Sequence, residues 1–318
     1  MGKYINPFTD FGFKYIFGRE QSKPLLMSFL NELLRHDPGF DPIVEIEYSN
    51  KELVGYSYEE RKAIYDVLCT TGHGHHFIVE MQNRSQFSFI ERSVYYVSKS
   101  IVDQAKRGND WDYDYHPVYM VSFMNFTHDT LGDKLRSDGM LLDLDTHEPL
   151  TTKMRYIFLQ LPLFKKQTEQ ECETKMEKWL FNLINMEDMD YMAFTNEDEI
   201  FKVLESEASY ASLSKEERMS YDRSLKAYRD YNNTIYYARE EGREEGREEG
   251  REEGIEIGIE KGIGIGRKEG IGIGRKEGIG IGRKEAMIEM AKKMKESGVD
   301  AATISMCVGM SIADIEKL

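Results

Sequence analysis

Three polar side chains lie in two neighbouring apolar segments and are of the types that metal-dependent hydrolysis requires. Asp66 interrupts the segment 64–68, and Glu80 and Gln82 alternate with apolar residues in the segment 77–82. Because successive strand residues point to opposite faces, Glu80 and Gln82 share one face, and a hairpin would bring Asp66 to it. Two adjacent carboxylates repel unless a cation such as Mg²⁺ or Mn²⁺ joins them, and such an ion activates water for phosphodiester hydrolysis. The pattern predicts a nuclease-type centre.

The same residues also have a purely structural interpretation. Asp66 could close a turn at a strand end, and Glu80 could be an edge-strand charge that prevents aggregation. With the hairpin alone, this interpretation is the better one, and only the surrounding motifs reverse the preference. The three histidines of the intervening turn, His73, His75 and His76, are better explained as turn residues than as zinc ligands, because neighbours on an extended chain point to opposite faces.

The arrangement resembles the core of the PD-(D/E)XK nuclease superfamily, in which a strand-end Asp is followed on the next strand by Glu-x-Lys or Glu-x-Gln. More narrowly, the chain resembles the Rpn family of recombination-promoting nucleases and transposases. Six stretches carry this resemblance, in the family's order and over roughly the first half of the chain: 6–18, 61–66, 80–82, 89–96, Gln104 to Gly108, and Pro117-Val118.

The resemblance implies a metal-dependent DNA endonuclease that acts in DNA recombination or in transposon-associated processing. Asp66 and Glu80 would bind Mg²⁺ or Mn²⁺, and Gln82 would position the attacking water. The best-known superfamily members carry Lys where this chain has Gln82, and a neutral amide adds no charge. Either Lys62 or Lys14 supplies the missing cation, or turnover is slow.

The overall charge limits how the chain can contact DNA. Its 57 acidic and 42 basic residues give a formal net charge of −15, so phosphate contacts must come from local basic side chains. Lys14, Lys62 and Arg92 are the main candidates, although each alone is an ordinary solvated charge in most proteins. Asp10 is a candidate additional acid from an N-terminal helix.

A non-catalytic protein that keeps the nuclease fold is the competing interpretation. It would bind DNA or oligomerise, and Gln82 and the net charge favour it, whereas the intact Asp66 and Glu80 oppose it. The cysteines are far apart, so neither a disulfide framework nor a zinc site is predicted. No signal peptide and no apolar run of about 20 residues is evident, so we expect a soluble, cytoplasmic protein without a membrane segment.

Apolar periodicity predicts the elements that position these residues. Helical spacing covers 22–34 and 87–105, and strand-like patterns cover 43–48, 116–123, 141–144 and 156–161. Strands separated by helices predict an α/β fold, and the resemblance implies a mixed central sheet flanked by helices. We assign 1–165 to a nuclease-like domain and 166–237 to a helical region without chemistry.

A charged glycine repeat occupies 238–285, with glycine at every fourth residue from Gly242 to Gly282. Each helical glycine costs about 1 kcal/mol relative to alanine, so the repeat is a marginal helix that needs a partner, or a flexible linker. Charge is acidic through about Glu260 and basic from Lys261 to Lys295, which would suit antiparallel pairing in a homo-oligomer. A linker expanded by repeat slippage explains the sequence equally well.

The final segment, 286–318, predicts short helices joined by turns and resembles a small helix-turn-helix module. Basic residues before its first turn suit contact with a phosphate backbone. Residues 304–318 offer no Arg, Gln or Asn for base edges, so a docking or oligomerisation module is equally supported.

Overall fold

The chain is described by a computed structural model that covers residues 2–37, 39–49, 52–53, 63–84, 88–105 and 112–318. It forms two compact units, 1–233 and 234–318. Lys62, a candidate phosphate contact, lies outside the described residues, as do Arg61 and Gly108 of the family-like stretches.

Eight strands are described in the first unit. Six form one sheet in the order β1-β4-β5-β6-β8-β7, in which β5, β6 and β8 are parallel and the outer pairings are antiparallel. The remaining two, β2 and β3, pair only with each other. The strands are β1 (Ile46–Tyr48), β2 (Glu52–Leu53), β3 (Ala63–Ile64), β4 (Val67–Thr71), β5 (His76–Gln82), β6 (Val118–Met124), β7 (Arg136–Leu142) and β8 (Pro149–Gln160).

The helices begin where the sequence supplies capping side chains. Thr9 accepts from the Gly12 N–H, Thr174 and Glu177 form a capping box, and Asp198 accepts from the Ile200 N–H. The first unit contains α1 (Asp10–Phe17), α2 (Lys23–Leu34), α3 (Phe89–Asp103), α4 (Lys175–Asn185), α5 (Glu199–Ala208) and the beginning of α6 (Lys215–Glu296).

One face of the sheet is covered by α1, α2, α4 and α5. Trp179 of α4 is fully buried and lies 5.9 Å from the Phe29 ring and 5.3 Å from the Phe201 ring, between ring centroids. Phe123 of β6 packs against Phe29 at 4.9 Å. Helices α4 and α5 therefore share one apolar core with the sheet.

The other face of the sheet is covered by α3. Val97 packs with Ile78 and Met120 of the sheet, and Phe89 packs with Phe158. Helices on both faces of a mixed six-stranded sheet confirm the predicted α/β architecture. The burial of two α3 serines, Ser93 and Ser100, was not predicted, because only apolar residues were used to define the helix.

The strand predicted at 141–144 is wrong in its bounds. The strand is β7, which begins at Arg136 and ends at Leu142. The chain turns at Asp143, because its carboxylate accepts the N–H groups of Asp145 and Thr146, and Leu144 is 89% exposed.

In the second unit, α6 continues to Glu296 and is followed by α7 (Ala301–Val308) and α8 (Ile312–Glu316). These three helices enclose a small core of Ala291, Ile304, Val308 and Ile315. No helix in the described part of the chain is both long and apolar enough to span a membrane.

Candidate functional site

Asp66 and Glu80 meet across the β4–β5 hairpin, as the alternation of apolar residues predicts. Val67 pairs with Val79 in an antiparallel register, which sets Asp66 beside Glu80. The Asp66 N–H donates to Glu80 Oε1 at 3.1 Å, and the Met81 N–H donates to Asp66 Oδ2 at 3.0 Å. Each carboxyl thus uses one oxygen to hold the opposite strand and keeps the other for a further partner.

The turn of this hairpin depends on a glycine. Gly74 has a φ of +82°, and a Cβ at that position would stand 2.6 Å from the His116 ring. A larger residue would be strained in φ and would collide with the ring. Gly74 therefore permits the tight turn that joins β4 to β5, at the opposite end of the hairpin from the two carboxyls.

Gln82 lies on the same face as Glu80, as predicted. Its Nε2 donates to Glu80 Oε2 at 2.8 Å, while its Oε1 accepts from Arg92 Nη2 of α3 at 2.5 Å. Val79 and Met81 point to the opposite face, where they pack into the main core. Arg92 thereby becomes part of the site through a contact that the sequence did not reveal.

Burial perturbs both carboxyls. Glu80 is only 4% exposed, and desolvation, reinforced by the nearby Asp66 charge, raises the pKa of Glu80 to about 8. Desolvation also raises the pKa of Asp66, although the Met81 N–H and the Lys14 ammonium oppose this change. Without a cation beside it, Glu80 therefore favours the protonated state at neutral pH.

Helix α1 brings a lysine to the site. Lys14 Nζ lies 3.5 Å from Asp66 Oδ1 and 2.5 Å from Asp10 Oδ1. Loss of solvation lowers the pKa of Lys14, but Asp10 and Asp66 more than offset it, and the net direction is upward. Asp10 itself is 69% exposed and contacts Lys14, and its negative charge is one of the causes that raise the pKa of Asp66.

The opening segment of the chain holds α1 in place. The Asn6 side chain accepts the Phe8 N–H, and the Thr9 hydroxyl donates to the Asn6 carbonyl. A Cβ at position 12 would stand 2.0 Å from that carbonyl, so Gly12 is required for the close approach. This explains why Asn, Thr and Gly occur together in a segment that carries the site lysine.

A family model described as PD-(D/E)XK nuclease family transposase matches residues 7–238. The chain belongs to this family. The match confirms the resemblance drawn from the ordered motifs, and it extends through α4 and α5, beyond the half of the chain that those motifs cover. Neither a curated protein nor a solved structure gives a match.

Members of a PD-(D/E)XK family are expected to use a divalent metal ion, and the donors of this site fit one. Asp66 and Glu80 offer adjacent carboxylates, which suit a hard cation that keeps several water ligands. The described residues contain no group of three or more His, Cys, Asp or Glu side chains able to hold a metal. The fit is therefore to Mg²⁺ or Mn²⁺ held by two carboxylates and water.

Ser122 is a further polar residue of this PD-(D/E)XK sheet that the sequence reasoning missed. It pairs with Glu80 in the parallel β5–β6 register and is fully buried on the α3 side of the sheet. Within the described part of the chain, its hydroxyl has no hydrogen-bond partner. An orphaned buried hydroxyl beside a buried carboxyl is consistent with a site that receives another group. A serine in an otherwise apolar strand was the available signal.

Beyond Gln82, the polar surface continues along the chain. Asn125 donates to Tyr228 Oη at 3.1 Å and to Asn83 Oδ1 at 3.4 Å. The Arg84 guanidinium lies 4.2 Å from the centroid of the Tyr231 ring. These contacts connect the end of β5 with the first part of α6, within the region that the family model matches.

Proposed function

We propose that the chain is a metal-dependent endonuclease that hydrolyses DNA phosphodiester bonds, in DNA recombination or in transposon-associated processing. One observation carries the proposal: a PD-(D/E)XK family sheet brings Asp66, Glu80 and Gln82 together at the end of one hairpin. A nuclease needs such a cluster of acids in a partly buried position, where a cation can replace protons.

In this proposal, Asp66 and Glu80 would hold Mg²⁺ or Mn²⁺, since in each carboxyl only one oxygen accepts a backbone N–H. When bound, the ion would supply an acidified water and would neutralise charge that develops on the phosphate. Gln82 donates a hydrogen bond that orients the attacking oxygen. The backbone hydrogen bonds keep both carboxyls in position before substrate binds.

Lys14 is our candidate for the cation that the Glu-x-Gln triplet lacks. Its ammonium group is 3.5 Å from Asp66 and is held by Asp10, so it can stay charged next to the scissile phosphate. This favours Lys14 over Lys62. It also gives Asp10 a supporting role, in which the carboxylate orients Lys14 rather than binding the metal.

Plasmid cleavage tests the proposal. Purified full-length protein is incubated with supercoiled plasmid and Mg²⁺, Mn²⁺ or EDTA, beside Asp66→Asn and Glu80→Gln. We expect nicking or linearisation that requires the metal and is lost in both variants. Glu47→Gln, an exposed glutamate on β1, is the matched control and should cut like the wild type. If the wild type and the three variants cut the plasmid equally, or none of them cut it, the nuclease proposal would be wrong.

The alternative, a non-catalytic DNA-binding or oligomerising protein, is favoured by the neutral Gln82 and the net charge of −15. Metal binding separates the two, because a working site must bind the ion. Under the nuclease proposal, Mn²⁺ raises the melting temperature of the wild type and does not raise that of Glu80→Ala.

We also propose that the glycine repeat of α6 pairs with the repeat of a second copy in antiparallel orientation. Its isoleucines are 43–66% exposed, and among the described residues no atom outside the local helix backbone lies within 4 Å of a Cβ built at any glycine from Gly242 to Gly282. Ten glutamates oppose four arginines in 239–260, and ten basic residues oppose four acidic ones in 261–295. Antiparallel pairing would bury isoleucine and set acidic segments against basic ones.

For the C-terminal residues 286–318, we propose a small helix-turn-helix-like docking module. The helices share an apolar core, and Lys295 Nζ donates to the Ile315 and Glu316 carbonyls at the end of α8. Lys293 is paired with Glu289, which reduces the basic surface for phosphate contact. Loss of DNA affinity on replacing both Lys292 and Lys293 with Gln would favour a DNA-backbone role over docking to protein.

A further inference from the structure

We propose that Arg92 is the positioning residue of Gln82, and that it holds the amide with its NH₂ group toward Glu80. The inference rests on the proposed hydrolytic function. The observation behind it is a chain of two hydrogen bonds, from Arg92 Nη2 to Gln82 Oε1 at 2.5 Å and from Gln82 Nε2 to Glu80 Oε2 at 2.8 Å.

The first step concerns the orientation of the amide. A glutamine side chain has a donor end and an acceptor end, and either end can face a neighbour when the other is free. A guanidinium group has donors only, so Arg92 binds the oxygen of Gln82 and leaves the NH₂ group for Glu80. Arg92 therefore determines which atom of Gln82 the reacting groups meet.

The second step concerns charge. A hydrogen bond from a cation to an amide oxygen is stronger than one between neutral groups, and it polarises the amide so that its N–H becomes a better donor. Positive charge on α3 thus acts at Glu80 through a neutral side chain of β5. Lys14 supplies charge at Asp66, so each carboxyl has its own cation.

The third step concerns how the guanidinium group is held. Arg92 is half-buried, and its guanidinium carbon lies 5.7 Å from the Phe89 ring centroid and 5.9 Å from the Tyr96 ring centroid. Phe89 and Val97 anchor α3 to the sheet on either side of it along the helix. A side chain confined in this way suits positioning better than a phosphate contact, which needs a guanidinium group that extends into solvent.

Cleavage kinetics of a double-mutant cycle give the first test. Arg92→Met and Gln82→Met should each slow cleavage by about 10–100-fold, and the double variant should be no slower than either one, because the residues act as a unit. Arg92→Lys, which keeps the charge, should recover part of the rate. Arg35→Met removes an exposed arginine as a matched control and should cut normally. Multiplicative losses in the cycle would overturn the proposal.

DNA binding gives the second test, since a direct phosphate contact predicts a different result. Affinity is measured without divalent metal across a range of salt concentrations. A positioning residue leaves the salt dependence unchanged in Arg92→Met. Loss of one phosphate contact reduces the slope of log K against log salt by about 1, and that outcome would overturn the proposal.

A spectroscopic measurement keeps the inference testable even if the wild type does not cut DNA. In metal-free full-length protein, the side-chain amide resonances of Gln82 are assigned by their loss in Gln82→Met. We expect them to shift in Arg92→Met and to stay nearly unchanged in Arg35→Met. Absence of cleavage by the wild type would defeat the nuclease proposal alone, whereas unmoved Gln82 resonances in Arg92→Met would defeat the positioning role.

Discussion

Asp66 and Glu80 are joined across the hairpin by reciprocal hydrogen bonds. The Asp66 N–H donates to Glu80 Oε1 at 3.1 Å, and the Met81 N–H, adjacent to Glu80, donates to Asp66 Oδ2 at 3.0 Å. The second oxygens face other partners, Lys14 at Asp66 and Gln82 at Glu80. The backbone thus holds the two carboxyls side by side in a buried position. Because folding removes their solvation, it raises the pKa of both groups.

The first prediction concerns pH and stability without metal. The folded-state pKa of Glu80, about 8, lies above the ordinary value of 4.5, so this group stabilises the fold fully below about pH 4.5 and loses that contribution as pH rises through 8. We expect unfolding free energy in EDTA to fall by at least about 1 kcal/mol between pH 5 and 8, since one pKa unit corresponds to about 1.4 kcal/mol. Urea unfolding measures it.

Glu80→Gln is the control for this pH effect, because it keeps the shape and removes the titration. Its stability should change less with pH than that of the wild type over the same range. An identical pH dependence in both proteins would show that Glu80 does not titrate in this window.

The second prediction concerns metal binding. Mn²⁺ at about 100 times its dissociation constant should stabilise the wild type by about 2.7 kcal/mol, because it binds the folded state alone. At a fixed Mn²⁺ concentration, the gain should be larger at pH 8 than at pH 5, since protons compete for Glu80 and Asp66 and weaken binding of the ion at low pH. Thermal unfolding with and without Mn²⁺ measures it. If Mn²⁺ stabilised Asp66→Ala as much as the wild type, the ion would bind at a different site.

The third prediction concerns Lys14. Lys14→Met should slow cleavage by about 10–100-fold through loss of the positive charge beside Asp66, and Lys14→Arg should retain part of the rate. Lys202→Met, which removes a 51% exposed lysine from α5, is the charge-matched control. Rate constants at saturating DNA measure the effect. Normal cleavage by Lys14→Met would contradict the role of Lys14 and would indicate that Lys62 or Arg92 supplies the positive charge.

Local periodicity was sufficient to predict that Asp66, Glu80 and Gln82 lie together, whereas their chemical roles were inferred from the surrounding motifs. Asp66, Glu80 and Gln82 lie within 17 residues, and strand alternation plus one tight turn fixes their relation without knowledge of the rest of the fold. The helix at 22–34 was predicted for the same reason, since its six apolar positions became its buried face.

The contacts from other elements could not be predicted in this way. Lys14 lies more than fifty residues before Asp66, and it reaches that carboxyl only because α1 packs against the sheet. Arg92 was predicted as a candidate phosphate contact and not as a partner of Gln82, because helical periodicity identifies the apolar face of α3 and gives no partner for the polar one. Similarly, the predicted domain boundaries at 165 and 237 rest on local sequence patterns. Such patterns do not reveal that Trp179 and Phe201 pack in the same apolar core as the sheet.

The fourth prediction concerns Ser122. Because its buried hydroxyl has no partner among the described residues, Ser122→Ala should leave metal-free stability unchanged or raise it by up to about 1–3 kcal/mol. If the hydroxyl serves the loaded site, the stabilisation by Mn²⁺ should be smaller in this variant. Ser93→Ala removes a buried serine that already donates to the Phe89 carbonyl, and it should not change the Mn²⁺ effect. Equal Mn²⁺ effects in Ser122→Ala and wild type would exclude the hydroxyl from the site.

The fifth prediction concerns pairing of the glycine repeat. In one full-length variant, six glutamates of the repeat are replaced by Lys: Glu244, Glu245, Glu248, Glu249, Glu252 and Glu253. Residues 239–260 then carry ten basic and four acidic residues, so that both halves of the repeat are net basic. Like charges would then face each other in an antiparallel pair, and self-association should weaken by at least about tenfold, or 1.4 kcal/mol. Sedimentation velocity at low salt measures the mass in solution.

A reciprocal variant makes this prediction specific. Six basic residues are replaced by Glu: Arg267, Lys268, Arg275, Lys276, Arg283 and Lys284. Residues 261–295 then carry ten acidic and four basic residues, both halves of the repeat are net acidic, and this protein should also fail to self-associate. Mixing the two variants should restore the assembly, because a net-basic repeat then faces a net-acidic one. Recovery of the assembly on mixing would support antiparallel pairing. If the repeat were only a linker, its charge would not affect the mass measured in solution. A wild type that is monomeric at all concentrations tested would eliminate the pairing.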